Sequence, residues 1–295
     1  MLARRIEACT PAPRERVLVT TLPLAAPLID RVRFDRVVYY CVDDFTCWPG
    51  AEPVSLARME RALIERADVF IAASRVLQQR LAAMGRAAHY LPHGVDPDLW
   101  ATPDAARRDS AVEARLRHLP RPILLYFGLV DERTDAQWVR AAQEATGGSV
   151  LLVGPHRSPD PALLRLPGVR QLGPVPVESL PGYACASDAL ILPYADLPVT
   201  RASQPLKLLE YLCTDRPVVT SALPACQEWA DAIDIATNPR DFGAALAQRI
   251  REGVPARQIS ARARARCHTW QRVADRFAEL IDHPPDLRTA VWIAS

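Results

Sequence analysis

The sequence predicts an α/β protein built on parallel sheets. Short runs rich in Val, Ile and Leu alternate with amphipathic stretches, the pattern of βαβ units. Pro, Ser or Asp opens several of those amphipathic stretches, as suits a helix start. The chain has 295 residues, which at roughly 100–200 residues each makes about two domains. In the second half, strands are predicted over 123–127, 150–154, 169–172, 189–193, 218–220 and 233–236. Helices are predicted between them, over 135–146, 178–184, 205–213, 224–230 and 239–251. Six strands with intervening helices make one complete doubly wound domain.

The first half is poorer. Strands are predicted over 17–20, 36–42, 69–72 and 87–91, with helices over 53–67, opened by Pro53, and 75–85, capped by Ser74. Four strands fall short of the six of a complete domain. A polar stretch, 97–122, with Arg107, Arg108, Asp109 and Arg115, reads as the interdomain connection. The expected division is therefore a partial domain over 1–118, a complete one over 119–267 and a terminal helix within 268–295.

Composition narrows the classes of function. A hydrophobic share of 49% and a charged share of 24% are ordinary globular values. A net charge of +2 gives no basic field to recruit nucleic acid. The longest apolar run, 123–130, is too short for a membrane span of about 20 residues. The first residues lack the apolar core of a secretory signal, so a soluble, cytoplasmic protein is expected. Seven cysteines form no C-x-x-C pair, which fits reduced thiols and argues against a metal site. The stretch 249–276 holds eight arginines. It reads either as a solvated helix face or as a contact for anionic lipid head groups or a phosphorylated acceptor.

One residue stands out. Of the 36 Lys and Arg residues only Lys207 is a lysine. A compact ammonium on a flexible stem differs from a broad, planar guanidinium, so a task that arginine cannot perform is one reading and chance survival the other. Lys207 lies in Gln204-Pro205-Leu206-Lys207-Leu208-Leu209-Glu210, at the start of a predicted helix on the carboxyl edge of a parallel sheet, where ligands bind in this architecture. Pro205 suits the first turn, and free backbone N–H groups with Ser203 and Gln204 there suit a phosphate. Lys207 can add charge to a diphosphate, and Glu210, three residues on, can accept from two ribose hydroxyls. An ordinary surface Lys–Glu pair is the alternative.

Further candidates lie at other strand ends. Gly128 lets the chain turn after 123–127, and Arg133 can reach phosphates as a bidentate donor oriented by Asp131, Glu132 or Asp135. Thr134 or Asp135 as a helix cap is the plainer reading. Asp43 and Asp44 end an early strand as a base or hydroxyl ligand, or as loop caps. His93, beside Gly94 and Asp96, is either a substrate contact or structural. The sequence has no G-x-G-x-x-G, no G-x-x-x-x-G-K-[ST] and no G-x-S-x-G, which weakens nicotinamide, ATPase and serine hydrolase readings.

The ordered set VVYYCVDDF, ADVFIAAS, LPHGVD, YFGLVDERTD, VLLVGP, QPLKLLEYL and RPVVTS resembles glycosyltransferases of family 4, in the branch of teichuronic acid and exopolysaccharide biosynthesis. The resemblance covers about 17–281. It implies a GT-B-like fold: two facing Rossmann-like domains, the first receiving the acceptor, the second binding a nucleoside-diphosphate sugar, and a final helix returning towards the first. It implies transfer to a hydroxyl of a glycan or lipid-linked acceptor, with retention of configuration, no metal and no cofactor. Basic residues then stabilise the leaving diphosphate. By position, Glu210 matches the second glutamate of the family's E-x7-E element, at the ribose, and Lys207 and Arg133 match basic positions near the phosphates. Ala202 stands where the first glutamate is expected, and His93 where many relatives carry Asn.

Relatives begin with a further strand, Gly-rich loop and helix, so the first domain is expected to be incomplete. Asp43, Asp44 and His93 are then the acceptor-side candidates. Peripheral contact with the inner face of the membrane is an added expectation. A non-catalytic nucleotide-sugar-binding subunit or shortened remnant, and a nucleotide-sugar 2-epimerase, are the alternative functions.

Overall fold

The computed structural model describes residues 15–100 and 110–282. They form two compact units: 15–93, 202–204 and 271–282 in the first, 94–100, 110–201 and 205–270 in the second.

The first unit is built on four parallel strands in the order β1-β2-β3-β4: Val17–Thr20, Arg36–Cys41, Val69–Ala72 and His89–Tyr90. The last is shorter than the expected 87–91, because only Ile71 and Ala72 of β3 pair with it. Helix α1, Pro53–Arg66, starts where the Glu52 carboxylate accepts from the amides of Val54 and Ser55. Helix α2, Arg75–Ala83, starts at Ser74, whose hydroxyl accepts from the Leu77 amide at 3.1 Å. Leu63, Ile64, Leu77 and Leu81 pack against one set of sheet residues, Val37, Tyr39 and Cys41. Residues alternate in direction along a strand, so Val38, Val69 and Ile71 serve the other set. Leu280, Val273 and Phe277, from the last helix of the described chain, cover those.

The second unit is built on six parallel strands in the order β10-β9-β8-β5-β6-β7. These are Ile123–Phe127 (β5), Ser149–Val153 (β6), Val169–Gly173 (β7), Ala189–Leu192 (β8), Val218–Ser221 (β9) and Asp234–Ala236 (β10). Every residue of β5, β6, β8 and β9 is buried, as a sheet covered on both faces requires. Helix α3, Ala136–Thr146, is capped by the Asp135 carboxylate. Helix α4 is Leu206–Leu212, and α5 is Pro239–Glu252, capped by Asn238. Helix α6 is Trp270–Asp282, of which 271–282 belongs to the first unit.

Four expectations need correction. The described part of the stretch 97–122 is not a polar connection. It holds helices Pro97–Trp100 and Ser110–Leu116, and Trp100, Val112 and Leu116 enter the core of the second unit. The Trp100 ring stacks on Phe127 at 5.3 Å. Arg107, Arg108 and Asp109 lie outside the described residues. The helix expected over 178–184 is Leu180–Ala186, because a separate turn, Val177–Ser179, precedes it. The helix expected over 224–230 stops at Gln227. Pro205 is not a helical residue but the N-cap, with φ −68° and ψ 109°.

Of the eight arginines in 249–276, two are buried, Arg264 is half-buried and five are exposed. Arg249 pairs with Asp234 at 2.8 Å, and Arg264 pairs with Asp231 at 2.6 Å while lying over the Trp229 ring. Arg262, 5% exposed, donates to the carbonyls of Ala232, Thr214 and Arg216, and burial pushes its guanidinium down to about 10.

Candidate functional site

The order of the second sheet reverses between β5 and β8, because β6 and β7 continue on one side of β5 and β8 to β10 on the other. The loops leaving neighbouring strands at such a reversal part from one another and open a crevice at the carboxyl ends. Here they are sewn together near their bases. The Asp135 amide donates to the Pro193 carbonyl at 2.9 Å, and the Ala195 amide donates to the Arg133 carbonyl at 2.8 Å.

Lys207, second residue of α4, sends its ammonium to this place. Nζ donates to the Tyr194 hydroxyl at 2.6 Å and reaches the Tyr126 hydroxyl at 3.4 Å. It lies 4.7 Å from the Tyr126 ring centre and 4.9 Å from that of Tyr194, within cation–π range. The third wall is Gly128, at φ 122°. A Cβ added there would lie 2.8 Å from Cε and 2.9 Å from Nζ of Lys207, so the lysine passes where only glycine leaves room. Among the described residues, Lys207 has no carboxylate within ion-pair distance.

Electrostatics follow from this geometry. Burial by itself raises the Tyr194 phenol, but the charge and hydrogen bond of Lys207 outweigh it and hold the phenol below its usual value. Burial, aided by Tyr194, pushes Tyr126 up, and its hydroxyl donates to the Leu129 carbonyl at 2.8 Å. Glu210 is half-buried on the same helix, and its carboxylate has no hydrogen-bond partner among the described residues. Burial raises its carboxyl to about 7, against the attraction of Lys207.

Arg133 stands nearby but is already engaged. Its Nε meets Asp131 Oδ1 at 2.9 Å, its second terminal nitrogen meets Oδ2 at 2.9 Å, and Asp131 is buried. Its guanidinium carbon is 5.9 Å from the Tyr194 ring centre. Asp131 orients Arg133, while Asp135 caps α3.

The structure thus brings Gly128, Arg133, Lys207 and Glu210 together. Pro205, the N-cap of α4, is in the second unit with them, and the remaining candidates are in the first. Ser203 and Gln204 belong there, and the Gln204 side-chain oxygen accepts from the His93 amide at 2.8 Å. Burial pushes the His93 imidazole down. Ala202 is buried, and its carbonyl accepts from the Ser74 hydroxyl. Asp44 is a cap and ion partner: its carboxylate accepts from the Thr46 amide at 3.1 Å and meets Arg80 Nε at 3.1 Å. Asp43 is half-buried beside it.

Sequence reasoning missed Tyr126 and Tyr194. The available signal was two polar-tipped aromatics at the carboxyl ends of adjacent central strands. Among the described residues there is no group of three or more His, Cys, Asp or Glu that could hold a metal ion.

Residues 121–254 match the family described as Glycosyl transferases group 1. The chain is 28% identical over 214 residues to the candidate teichuronic acid biosynthesis glycosyltransferase TuaH of Bacillus subtilis (strain 168), covering 65% of this chain and 52% of the relative. It thus spans about half the length of that relative. Among solved structures it is similar to Anabaena HepE in complex with UDP and glucose. The TM-score is 0.74 at 16% identity, over 90% of this chain and 77% of the other. It is also similar to sucrose-phosphate synthase of Thermosynechococcus elongatus, with a TM-score of 0.71 at 18% identity, over 95% and 76%. At such identities the likeness is one of fold.

Proposed function

We propose a function for a chain whose residues 121–254 match the family Glycosyl transferases group 1 and whose described residues have a GT-B fold with four strands in the first sheet. The protein transfers a sugar from a nucleoside-diphosphate sugar to a hydroxyl of a growing glycan or lipid-linked acceptor, in the making of a cell-envelope polysaccharide. One observation carries this reading: the Lys207 ammonium, without an acidic partner, stands at the switch point of the second sheet.

In the reaction, the bond between the anomeric carbon and the diphosphate oxygen breaks. The acceptor oxygen bonds that carbon and its proton passes to the departing phosphate. Negative charge grows on the leaving diphosphate, and Lys207 is held in advance to meet it. Arg133, fixed by Asp131, adds a second, partly neutralised cation. Glu210 accepts from the vicinal ribose hydroxyls. Asp43 and His93 remain acceptor-side candidates in the first unit. Transfer with retention, without a metal and at the inner face of the plasma membrane, completes the reading; no described helix is long and apolar enough to cross a membrane.

The test is a thermal-shift screen of nucleoside diphosphates and their sugars, followed by turnover with the donor that binds. HepE, a fold relative, is known in complex with UDP-glucose, so UDP-sugars come first. A ligand at 100 times its Kd adds about 2.7 kcal/mol of stability. No stabilisation by any nucleotide overturns the reading. Stabilisation without turnover favours a nucleotide-sugar-binding subunit instead.

A further inference from the structure

We propose that Tyr194 is the positioning residue for Lys207, and that the slot it forms with Tyr126 and Gly128 specifies lysine over arginine. The inference rests on the reading above, in which Lys207 meets the donor's diphosphate.

A half-buried ammonium ordinarily takes a carboxylate partner, which would cancel the charge a phosphate needs. This one is satisfied by neutral groups. The Tyr194 oxygen accepts at 2.6 Å, and both phenol ring centres lie within 5 Å. These groups fix the ammonium's direction without placing a carboxylate at ion-pair distance. Tyr194 is itself held from behind, since it is 5% exposed and its neighbour Ala195 bonds to the Arg133 carbonyl.

The slot is also narrow. Glycine's missing Cβ leaves the space that Lys207 Cε and Nζ fill, at 2.8 and 2.9 Å from where that carbon would be. A guanidinium carries five donors in a rigid plane and needs acceptors along its width. Two phenol oxygens across a one-nitrogen gap do not supply them. This accounts for one lysine among 36 basic residues.

The test uses the full chain, with UDP as probe in calorimetry, and pH titration of tyrosinate absorbance. The charged and titratable groups around the Tyr194 phenol are Lys207, Tyr126, Tyr211 and Arg133 with its partner Asp131; Glu210 lies beyond Lys207. Tyr194→Phe is expected to weaken UDP binding about tenfold, and Lys207→Arg to weaken it as much as Lys207→Ala does. In the wild type one tyrosine ionises below the rest. That step disappears in Tyr194→Phe and moves up in Lys207→Met, a response that a merely structural phenol would not give. UDP affinity unchanged in Tyr194→Phe, or kept in Lys207→Arg, overturns the inference and leaves the site reading standing. UDP affinity unchanged in Lys207→Ala overturns both. If Tyr194→Phe fails to fold, the Lys207→Arg and Lys207→Met arms decide.

Discussion

Each unit of this protein draws a cation inward, and the two settle it in opposite ways. In the first, Arg80 meets both oxygens of Glu60, which is 2% exposed, and turns Nε to Asp44; the Tyr39 hydroxyl donates to the same Glu60 carboxylate at 2.8 Å. Its charge is answered twice. In the second unit, Lys207 meets two phenols and no carboxylate. A cation closed on carboxylates ties α1, α2 and β2 together and has nothing left to offer. A cation closed on dipoles is oriented but still charged, and so can attract an anion. The difference separates a structural ion pair from the binding residue proposed here without any appeal to exposure, since both cations are half-buried.

The comparison can be broken most forcefully at Glu60. Glu60→Ala leaves Arg80 and Tyr39 without their partner, and is expected to cost about 3–5 kcal/mol in urea unfolding. A loss below about 1 kcal/mol would mean the network is ornamental. Lys207→Ala should behave in the reverse manner. Stability changes little, while turnover falls by about two to three orders of magnitude, the size seen when one preorganised electrostatic group is removed. Normal turnover in the folded variant would take Lys207 out of the mechanism.

Gly128→Ala sharpens the contrast by moving the lysine without removing it. The added carbon meets Cε at 2.8 Å on a backbone at φ 122°, so UDP affinity should drop about tenfold, with a stability cost of about 1–3 kcal/mol. The smallest effect concerns pH. The Glu210 carboxyl sits near 7, raised by burial, and only its ionised form can accept from two ribose hydroxyls. Its carboxylate fraction therefore climbs from roughly a tenth to roughly nine-tenths between about pH 6 and 8, and donor affinity should tighten with rising pH by less than about tenfold. Glu210→Gln should remove that slope; calorimetry of both proteins across the range checks it, the titration of the nucleotide being common to the two.

Particular residues explain which parts were readable beforehand. The central strands of the second unit, β5, β6, β8 and β9, announce themselves because they are buried on both faces and read as mainly apolar runs. Ser74, Asp135 and Pro53 mark helix starts correctly, because caps and helix-opening prolines act locally. Pro205 was legible as a boundary but not as to which side of it the proline falls. The stretch holding Trp100, Val112 and Leu116 looked like a connection because its many arginines mask three spaced apolar residues. Lys207 and Glu210 were legible as a pair on one helix. Tyr126 and Tyr194 were not, since a tyrosine within an apolar strand, or two residues past the end of one, looks like core until the strand order is known. The Asp131 grip on Arg133 was readable as an option; that it uses both oxygens is a matter of side-chain geometry that spacing does not encode.

The sewing of the loops after β5 and β8 has a dynamic consequence. The amides of Asp135 and Ala195 are the two stitches, one running in each direction. Neither loop can swing outward unless both stitches part. Their protons should therefore trade with deuterium slowly and in step, on one shared opening clock, so that a nucleotide arriving here finds a stiff rim and adjusts only the side chains that hang from it.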